Sequence, residues 1–260
     1  MGRIIIKNDE ELQCMREAGG VAAKIKLELA RNATPGTSTQ ELDLYGKELI
    51  EKAGARSAFI GYKGPGKTPP YPGYTCISVN EEVVHGVPGD RLIQLGDIVS
   101  IDVGVHYNGF VGDNATTVMV GVTDPEVIRL VEVSNQALQD AIDQAVDGGF
   151  LGDVSHAVEA AAKKAGFGLV RQFVGHGVGR SMHEEPQIPN YGRPGTKPRL
   201  KTGMTLAIEP MLNLGKDDVQ TLSDGWTVVT RDRLPSVHVE HTIAVMPGKA
   251  EILTLPENAP

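Results

Sequence analysis

The sequence is poor in cysteine and in long apolar runs. Its 260 residues include two cysteines, Cys14 and Cys76, and no CxxC pair. Two thiols make no disulfide framework, so we expect a protein of the reducing cytoplasm. No segment approaches the ~18 consecutive apolar residues of a membrane span, and the apolar run at residues 4–6 is too short for the core of a signal peptide. We therefore expect no membrane association.

Basic and aromatic residues are also scarce. The formal net charge is -8, which argues against a general binder of nucleic acids or anionic surfaces. Aromatic residues make up 5% of the chain, so aliphatic residues must supply most of the packing. With 40% hydrophobic residues the chain can bury one sizeable core, and we expect a single domain over residues 1–260. Nothing in the sequence demands a partner subunit, and we expect a monomer.

Helical and strand-like segments alternate twice along the chain. Asn8 with Glu11, and Ser38 with Glu41, have the spacing of capping boxes, and Asp153 is read as the cap of the last helix. The predicted helices cover about 9–31, 38–54, 125–146 and 153–166. The predicted strands cover 75–79, 98–105 and 110–120, then 169–175, 205–210, 226–231 and 237–245. This order predicts a duplicated α+β unit with halves at about 8–121 and 124–248.

The two halves repeat one pattern of histidine and acidic residues. Each half carries His-Gly-Val, then an acid on one predicted strand and a second acid on another. GDIVSID corresponds to GMTLAIE, and DNATTVMVG corresponds to EHTIAVMPG. The repeated residues are His85, Asp102 and Asp113 in the first half and His176, Glu209 and Glu240 in the second. The acids lie in apolar runs, where a carboxylate is normally paired or bound to metal. Pairing with basic neighbours is the alternative interpretation.

The dipeptide Asn108-Gly109 predicts a tight hairpin between two of these strands. A two-residue turn there pairs Gly104 with Asp113. Asp102 is then a diagonal neighbour of Asp113 on the same face, with Cα atoms ~7–8 Å apart. Carboxylates at that spacing can serve two ions ~3.5–4 Å apart. Four carboxylates and one imidazole favour Mn, Fe, Co or Zn.

From about residue 8 to residue 246 the sequence resembles type I methionine aminopeptidase, a metallopeptidase family with the pita-bread fold. The motifs that carry the resemblance are CISVNEEVVHGVPG, GDIVSIDVG, GHGVGRSMHEEPQIPNYG, GMTLAIEPM and VEHTIAV, in that order. The resemblance implies an α+β fold in which a curved antiparallel sheet, with pseudo-two-fold symmetry, is covered by two helix pairs. It also implies removal of the initiator methionine from nascent proteins, near the ribosome, when the second residue is small.

The resemblance further implies two divalent metal ions as cofactors. Asp102 would chelate one ion, and His176 and Glu209 would serve the other. Asp113 and Glu240 would bridge the two ions. A hydroxide formed from water between the ions would attack the scissile carbonyl carbon, and Glu209 would act as the general base.

The remaining site residues are also expected from the resemblance. His183 would contact the carbonyl oxygen, and His85 would contact the scissile amide and help to protonate the leaving amine. Tyr71, Cys76 and Trp226 would line the methionine pocket. The other four histidines are read as surface or core residues without a catalytic role: His106, His156, His238 and His241.

Two features depart from the pattern of the family. Met182 stands directly before His183, where an aromatic residue is common, so a flexible thioether is expected beside the pocket. The segment 61–73, GYKGPGKTPPYPG, is rich in Gly, Pro and Lys and is predicted to be a long irregular loop beside the same pocket.

Two alternative functions remain open from the sequence. The first is a pita-bread peptidase of the aminopeptidase P or prolidase kind. Such enzymes usually carry an extra N-terminal domain, and a first helix near residue 9 is expected to leave no room for one. The second is a pita-bread binding protein without catalysis, in which metal ligands are expected to be missing. All five predicted ligands are present in this chain.

Overall fold

The computed structural model describes residues 2–64, 66 and 68–256, and these residues include four helices. They are α1 (Asp9–Asn32), α2 (Thr39–Lys52), α3 (Pro125–Gln144) and α4 (Leu151–Ala165). Both predicted capping boxes form, because Asn8 and Ser38 each accept from the N–H of the glutamate three residues on. The α+β class and the four predicted helices are confirmed.

The start of α4 differs from the prediction. Phe150 is the N-cap residue, and the helix begins at Leu151. The N-cap thus lies three residues before Asp153. The carboxylate of Asp153 reaches back to accept from the N–H of Phe150 at 3.3 Å, and it also accepts from the N–H of Gly195 at 2.8 Å. Asp153 therefore serves the helix start from its third position, which is the acidic half of a capping box.

Short strands make up the rest of the regular structure. They are β1 (Arg56–Ser57), β2 (Cys76–Val79), β3 (Glu82–Val84), β4 (Ile98–Tyr107), β5 (Phe110–Met119), β6 (Gly168–Leu169), β7 (Gly175–Gly177), β8 (Glu184–Ile188), β9 (Thr205–Ile208), β10 (Met211–Asn213), β11 (Val219–Thr221), β12 (Val228–Thr230), β13 (Ser236–His238), β14 (His241–Ala244) and β15 (Glu251–Ile252). All of the pairings between them are antiparallel, among the described residues.

The hairpin of β4 and β5 has the predicted register. Gly104 pairs with Asp113, and Asp102 pairs with Ala115. The two turn residues, Asn108 and Gly109, have φ values of 47° and 79°, as a type I′ turn requires. Because side chains alternate along a strand, Asp102 and Asp113 lie on the same face of this hairpin.

The strands of the second half are shorter than predicted. The predicted strand 169–175 is two elements, β6 and β7, and the predicted strand 237–245 is divided into β13 and β14. Glu209 follows the end of β9, and Glu240 precedes the start of β14, so neither acid lies inside a strand. Pro210 has no N–H for a ladder, and its carbonyl instead accepts from the N–H of Val239.

The helices pack on the strands through separate apolar clusters. α1 and α2 cover β4 with Leu29, Leu42 and Ile50, which are at most 2% exposed. α3 and α4 cover β9 and β14 through a second cluster that includes Leu130 and Val154, both fully buried. None of the described helices is both long enough and apolar enough to cross a membrane.

The predicted loop 61–73 contains no helix or strand among its described residues, and positions 65 and 67 lie outside them. Residue 1 and residues 257–260 of the predicted domain 1–260 are outside the description as well. The base of the loop is closed by two backbone hydrogen bonds. Gly61 donates to the carbonyl of Tyr71 at 2.8 Å, and Tyr71 donates to the carbonyl of Tyr62 at 2.9 Å.

Candidate metal centre and the adjoining pocket

Three carboxylates from distant parts of the sequence converge at one point. One oxygen each of Asp102, Asp113 and Glu240 lies within 4.8 Å of the others. The hairpin of β4 and β5 presents Asp102 and Asp113, and the N–H of Glu240 donates to the carbonyl of Ala115 at 3.1 Å, which fixes Glu240 against the same hairpin. Asp113 and Glu240 are 3% and 2% exposed, so this cluster is inside the protein.

His176 and Glu209 complete the predicted ligand set. The Nε2 atom of His176 lies 3.6 Å from Oδ2 of Asp113 and 3.7 Å from Oε1 of Glu209. The Nδ1 atom of His176 lies 2.9 Å from the carbonyl oxygen of Gly177. A carbonyl oxygen only accepts, so Nδ1 carries the proton, and the lone pair of Nε2 faces the carboxylates. A neutral imidazole held in this way is a ready metal ligand.

The buried oxygens of the cluster lack partners. Oδ1 of Asp102, Oδ1 of Asp113 and Oε1 of Glu240 have no hydrogen-bond partner among the described residues. Pairing with basic neighbours therefore does not account for these three oxygens. Buried carboxylates without protein partners are costly unless a cation binds them. The oxygen-rich donor set with one nitrogen suits divalent cations, so the residues fit a metal centre.

Burial changes the acidity of all four carboxylic acids. The pKa values of Asp102, Asp113 and Glu240 are raised well above their ordinary values, first by burial and then by the neighbouring acids. Burial also raises the pKa of Glu209 to about 8. Four acids this close cannot all ionise cheaply without a compensating charge. A bound cation would supply that charge.

The histidines of the site are neutral near pH 7. Burial lowers the pKa of His176 to about 3, with His183 as a second cause. Burial lowers the pKa of His85 to about 4, and it lowers the pKa of His183 as well. His85 also has a left-handed backbone, with φ of 58°, which is uncommon for a residue other than glycine. Each of these imidazoles can therefore give one N–H and one lone pair to its surroundings.

One cavity of about 240 Å³ brings together all ten residues that the sequence predicted for the site. This volume is below the roughly 300–1,000 Å³ of pockets for drug-sized ligands, which suits a single amino-acid side chain. The lining residues are Phe59, Tyr62, Gly64, Tyr71, Cys76, His85, Asp102, Asp113, His176, Met182, His183, Glu209, Trp226 and Glu240.

The apolar side of the cavity is held by ring packing and by hydrogen bonds. The ring of Trp226 packs edge-on against Tyr71 at 5.3 Å between centroids, and its Nε1 donates to the carbonyl of Pro69 at 2.8 Å. The hydroxyl of Tyr71 donates to the carbonyl of Gly86 at 2.8 Å. Cys76 is buried, and burial raises the pKa of its thiol well above the ordinary value, so it acts as a small apolar residue.

Because Gly104 has no side chain, Met182 and Phe59 have room to pack beside it and line the cavity. A Cβ atom at this position would lie 2.5 Å from Cε of Met182 and 2.6 Å from Cε1 of Phe59. Both side chains line the cavity, and Met182 is 7% exposed. Met182 thus takes the position beside the pocket that the sequence indicated.

Sequence reasoning missed three residues of the site. Phe59 and Tyr62 line the cavity, and the sequence singled out neither residue, although Tyr62 lies in the segment 61–73 that was expected beside the pocket. His238, which was read as a residue without a catalytic role, is 3% exposed, and its Nε2 lies 3.5 Å from Oε2 of Glu209. That nitrogen has no hydrogen-bond partner among the described residues. Its spacing of two residues from Glu240 was the available signal, since alternate residues of an extended chain share a face.

Comparison with known protein families identifies this chain as a metallopeptidase. The profile of metallopeptidase family M24 matches residues 13–247. This chain belongs to metallopeptidase family M24. Within family M24 it groups with the methionine aminopeptidases. It is 47% identical to methionine aminopeptidase 1 of Bacillus subtilis (strain 168) over 251 residues, which are 96% of this chain and 99% of that relative.

Solved structures of family M24 confirm the pita-bread fold. The crystal structure of methionine aminopeptidase from Thermotoga maritima matches with a TM-score of 0.93 at 44% identity, over 97% of this chain and 100% of that chain. Prolidase from Pyrococcus furiosus matches with a TM-score of 0.78 at 26% identity, over 98% of this chain and 66% of that chain. The chain is thus a metal-dependent hydrolase by family, and it is more similar to the methionine aminopeptidase than to the prolidase.

Proposed function

We propose that this protein removes the N-terminal methionine from nascent proteins whose second residue is small. The proposal rests mainly on one observation: the carboxylate cluster and an apolar pocket sized for one side chain belong to the same cavity. A methionine side chain resting against Tyr71, Cys76 and Trp226 would bring the first peptide bond beside the acids. The relatives named methionine aminopeptidase at 40–47% identity support the same substrate.

Two divalent ions are proposed as the cofactors, of Mn, Fe, Co or Zn. Asp102 would chelate one ion, and His176 with Glu209 would hold the other. Asp113 and Glu240 would lie between the two. Their unpaired oxygens and the lone pair of His176 support this assignment. When bound, such ions supply Lewis-acid activation of water and of the scissile carbonyl.

Three side chains of this protein would transfer protons or stabilise charge during hydrolysis. Burial raises the pKa of Glu209 to about 8 in the metal-free protein, so a bound cation would be needed to hold its carboxylate ionised; in that form Glu209 would take a proton from the attacking water as the general base. A neutral His183 can donate a hydrogen bond to the carbonyl oxygen as charge develops on it. A neutral His85 can contact the scissile amide and assist departure of the amine.

We also propose a monomer, formed as one catalytic domain, that acts in the cytoplasm near the ribosome. All ten predicted site residues line a cavity within one chain, so no partner subunit is needed to complete it. Cys14 and Cys76 are free thiols, as is usual for proteins of a reducing compartment. The initiator methionine is exposed on chains that are still being synthesised, which places the substrate there.

A panel of short peptides tests the proposed substrate. Met-Ala-Ser and Met-Gly-Ser should lose their methionine, whereas Met-Leu-Ser and Met-Phe-Ser should be cleaved at least about tenfold more slowly. The reason is that a bulky second side chain would collide with His85, which is proposed to contact the scissile amide. Matched peptides with an X-Pro bond, such as Ala-Pro-Ser, distinguish the alternative. Equal or faster cleavage of the X-Pro peptides would assign the protein to the aminopeptidase P or prolidase kind.

A further inference from the structure

Tyr62 makes a direct hydrogen bond to a histidine of the site. Its hydroxyl oxygen lies 2.8 Å from Nδ1 of His183, and the two ring centroids are 5.4 Å apart. Tyr62 belongs to the loop 61–73, which the sequence left without a function. The contact joins residues that are 121 positions apart, so it is not a by-product of local chain geometry.

The position of Tyr62 is fixed by its backbone and by its ring. Its N–H donates to the carbonyl of Phe59 at 2.8 Å, and its carbonyl accepts from the N–H of Tyr71 at 2.9 Å. Its ring packs edge-on against Trp226 at 6.3 Å between centroids. The hydroxyl is therefore held in place at the cavity by three contacts that do not involve His183.

The two neighbouring histidines of the site face opposite kinds of partner. His176 and His183 lie 4.3 Å apart between ring centroids. Nδ1 of His176 faces the carbonyl oxygen of Gly177, which can only accept. Nδ1 of His183 faces a phenol, whose O–H is a better donor than its oxygen is an acceptor, because the ring draws on the oxygen lone pair. The partners thus favour protonated Nδ1 in His176 and unprotonated Nδ1 in His183.

We propose that Tyr62 is a positioning residue that holds His183 in the tautomer with its proton on Nε2. Nε2–H is then the donor of His183 toward the substrate, and the ring is fixed in orientation by the bond at Nδ1. Without Tyr62, a neutral imidazole could place its proton on Nδ1 and present a lone pair to the carbonyl oxygen, which repels it. The proposal rests on the proposed function, in which His183 assists the carbonyl oxygen.

Nitrogen NMR of the metal-free protein tests the tautomer without any need for activity. In protein labelled with ¹⁵N-histidine, the signals of His183 are identified by their loss in His183→Ala. We expect unprotonated Nδ1 and protonated Nε2 in the unmodified chain, and a mixture of the two tautomers in Tyr62→Phe. Tyr191→Phe is the matched control, because Tyr191 and Tyr62 are both 38% exposed, and it should leave the signals unchanged. Protonated Nδ1 in the unmodified chain, or no change in Tyr62→Phe, would overturn the proposal.

A double-mutant cycle tests the consequence for catalysis. Tyr62→Phe should lower kcat about tenfold or more with little change in KM, since the lost donor acts on developing charge. In the His183→Ala background the same substitution should have almost no further effect on kcat, because Tyr62 acts through His183. Independent losses that multiply in the double variant would contradict the proposal. Full activity of His183→Ala alone would instead remove His183 from the proposed function, while the NMR result would still decide the tautomer.

Discussion

The Nε2 atom of His176, from the second half of the chain, lies 3.6 Å from Oδ2 of Asp113, from the first half. The proton on Nδ1 of His176 is committed to the carbonyl of Gly177, so the short approach to Asp113 is not an ordinary hydrogen bond. An imidazole lone pair that faces a buried carboxyl group at this distance fits a cation held between them. The metal centre thus requires ligands from both halves of the chain.

Asp113→Asn should separate the requirement for metal from the requirement for folding. The substitution removes one acidic charge from a buried cluster, so the melting temperature of the metal-free protein should stay the same or rise. Methionine release from Met-Ala-Ser should fall by at least about 100-fold, since a proposed shared ligand is lost. Asp90→Asn, at an exposed position, is the control and should keep both properties. Near-normal turnover of Asp113→Asn with saturating metal would contradict the assignment.

The metal-free protein should lose stability as the pH rises from about 6.5 to 8. Burial raises the pKa of Glu209 from 4.5 to about 8, so in this window the folded state keeps a proton that the unfolded state has lost. Stability then falls with rising pH. The depressed pKa values of His176 and His85, about 3 and 4, destabilise the folded state only below their ordinary value of 6.5.

Glu209→Gln is the matched variant for this pH dependence. The free energy of unfolding, measured by urea denaturation at pH 6.5 and pH 8, should fall more steeply for the unmodified chain than for Glu209→Gln. A saturating divalent metal should reverse the trend in the unmodified chain, because the metal competes with protons for the same acids. Parallel pH profiles for the two metal-free proteins would show that Glu209 does not keep its proton in the folded state between pH 6.5 and pH 8.

Gly104→Ala should damage the pocket more than the fold. The new Cβ would meet Cε of Met182 at 2.5 Å and the ring of Phe59 at 2.6 Å, which pushes both side chains toward the cavity. We expect a loss of about 1–3 kcal/mol in the free energy of unfolding, typical of overpacking, and a higher KM for methionyl peptides. Adding Met182→Ala should restore the KM in part.

Gly20→Ala is the control for that experiment, since no heavy atom lies within 4 Å of a Cβ atom there and Gly20 is inside α1. It should stabilise the protein by about 0.5–1 kcal/mol and leave the KM unchanged. A KM of Gly104→Ala equal to that of the unmodified chain would mean that Met182 and Phe59 do not bound the substrate pocket.

A buried ion pair holds the N-terminal segment beside His183. Nζ of Lys7 lies 2.6 Å from Oε2 of Glu184, and these side chains are 3% and 7% exposed. Lys7→Met should destabilise the protein by about 3–5 kcal/mol, because it leaves the Glu184 carboxylate buried without its partner. The double variant Lys7→Met with Glu184→Leu should recover much of that loss in a urea titration. Equal instability of the single and double variants would indicate that lost packing of the Lys7 side chain, and not the unpaired charge of Glu184, causes the loss in stability.

The sequence predicted the parts of the fold that depend on local chemistry. Asn108-Gly109 predicts the hairpin register because its turn type permits a single pairing, and Asp102 and Asp113 follow from it. The capped helices α1 and α2 follow from side chains that bond within one turn.

The features that the sequence did not predict depend on contacts between distant segments. Phe150 rather than Asp153 is the N-cap of α4, and Asp153 instead also accepts from Gly195, 42 residues away. The contact of Tyr62 with His183 comes from the path of an irregular loop. The proximity of His238 to Glu209 depends on two segments that are distant in sequence.

Release of methionine from Met-Ala-Ser by metal-stripped protein, before and after Mn²⁺ or Co²⁺ is added back, is the decisive measurement for a metal-dependent aminopeptidase. We expect no release without metal, and restored release as the ion is titrated in, with saturation at about two ions per chain. Asp90→Asn should behave in the same way, and Asp113→Asn should not recover. Undiminished release from protein that retains no metal would contradict the metal requirement, and no release at any metal concentration would contradict the aminopeptidase activity.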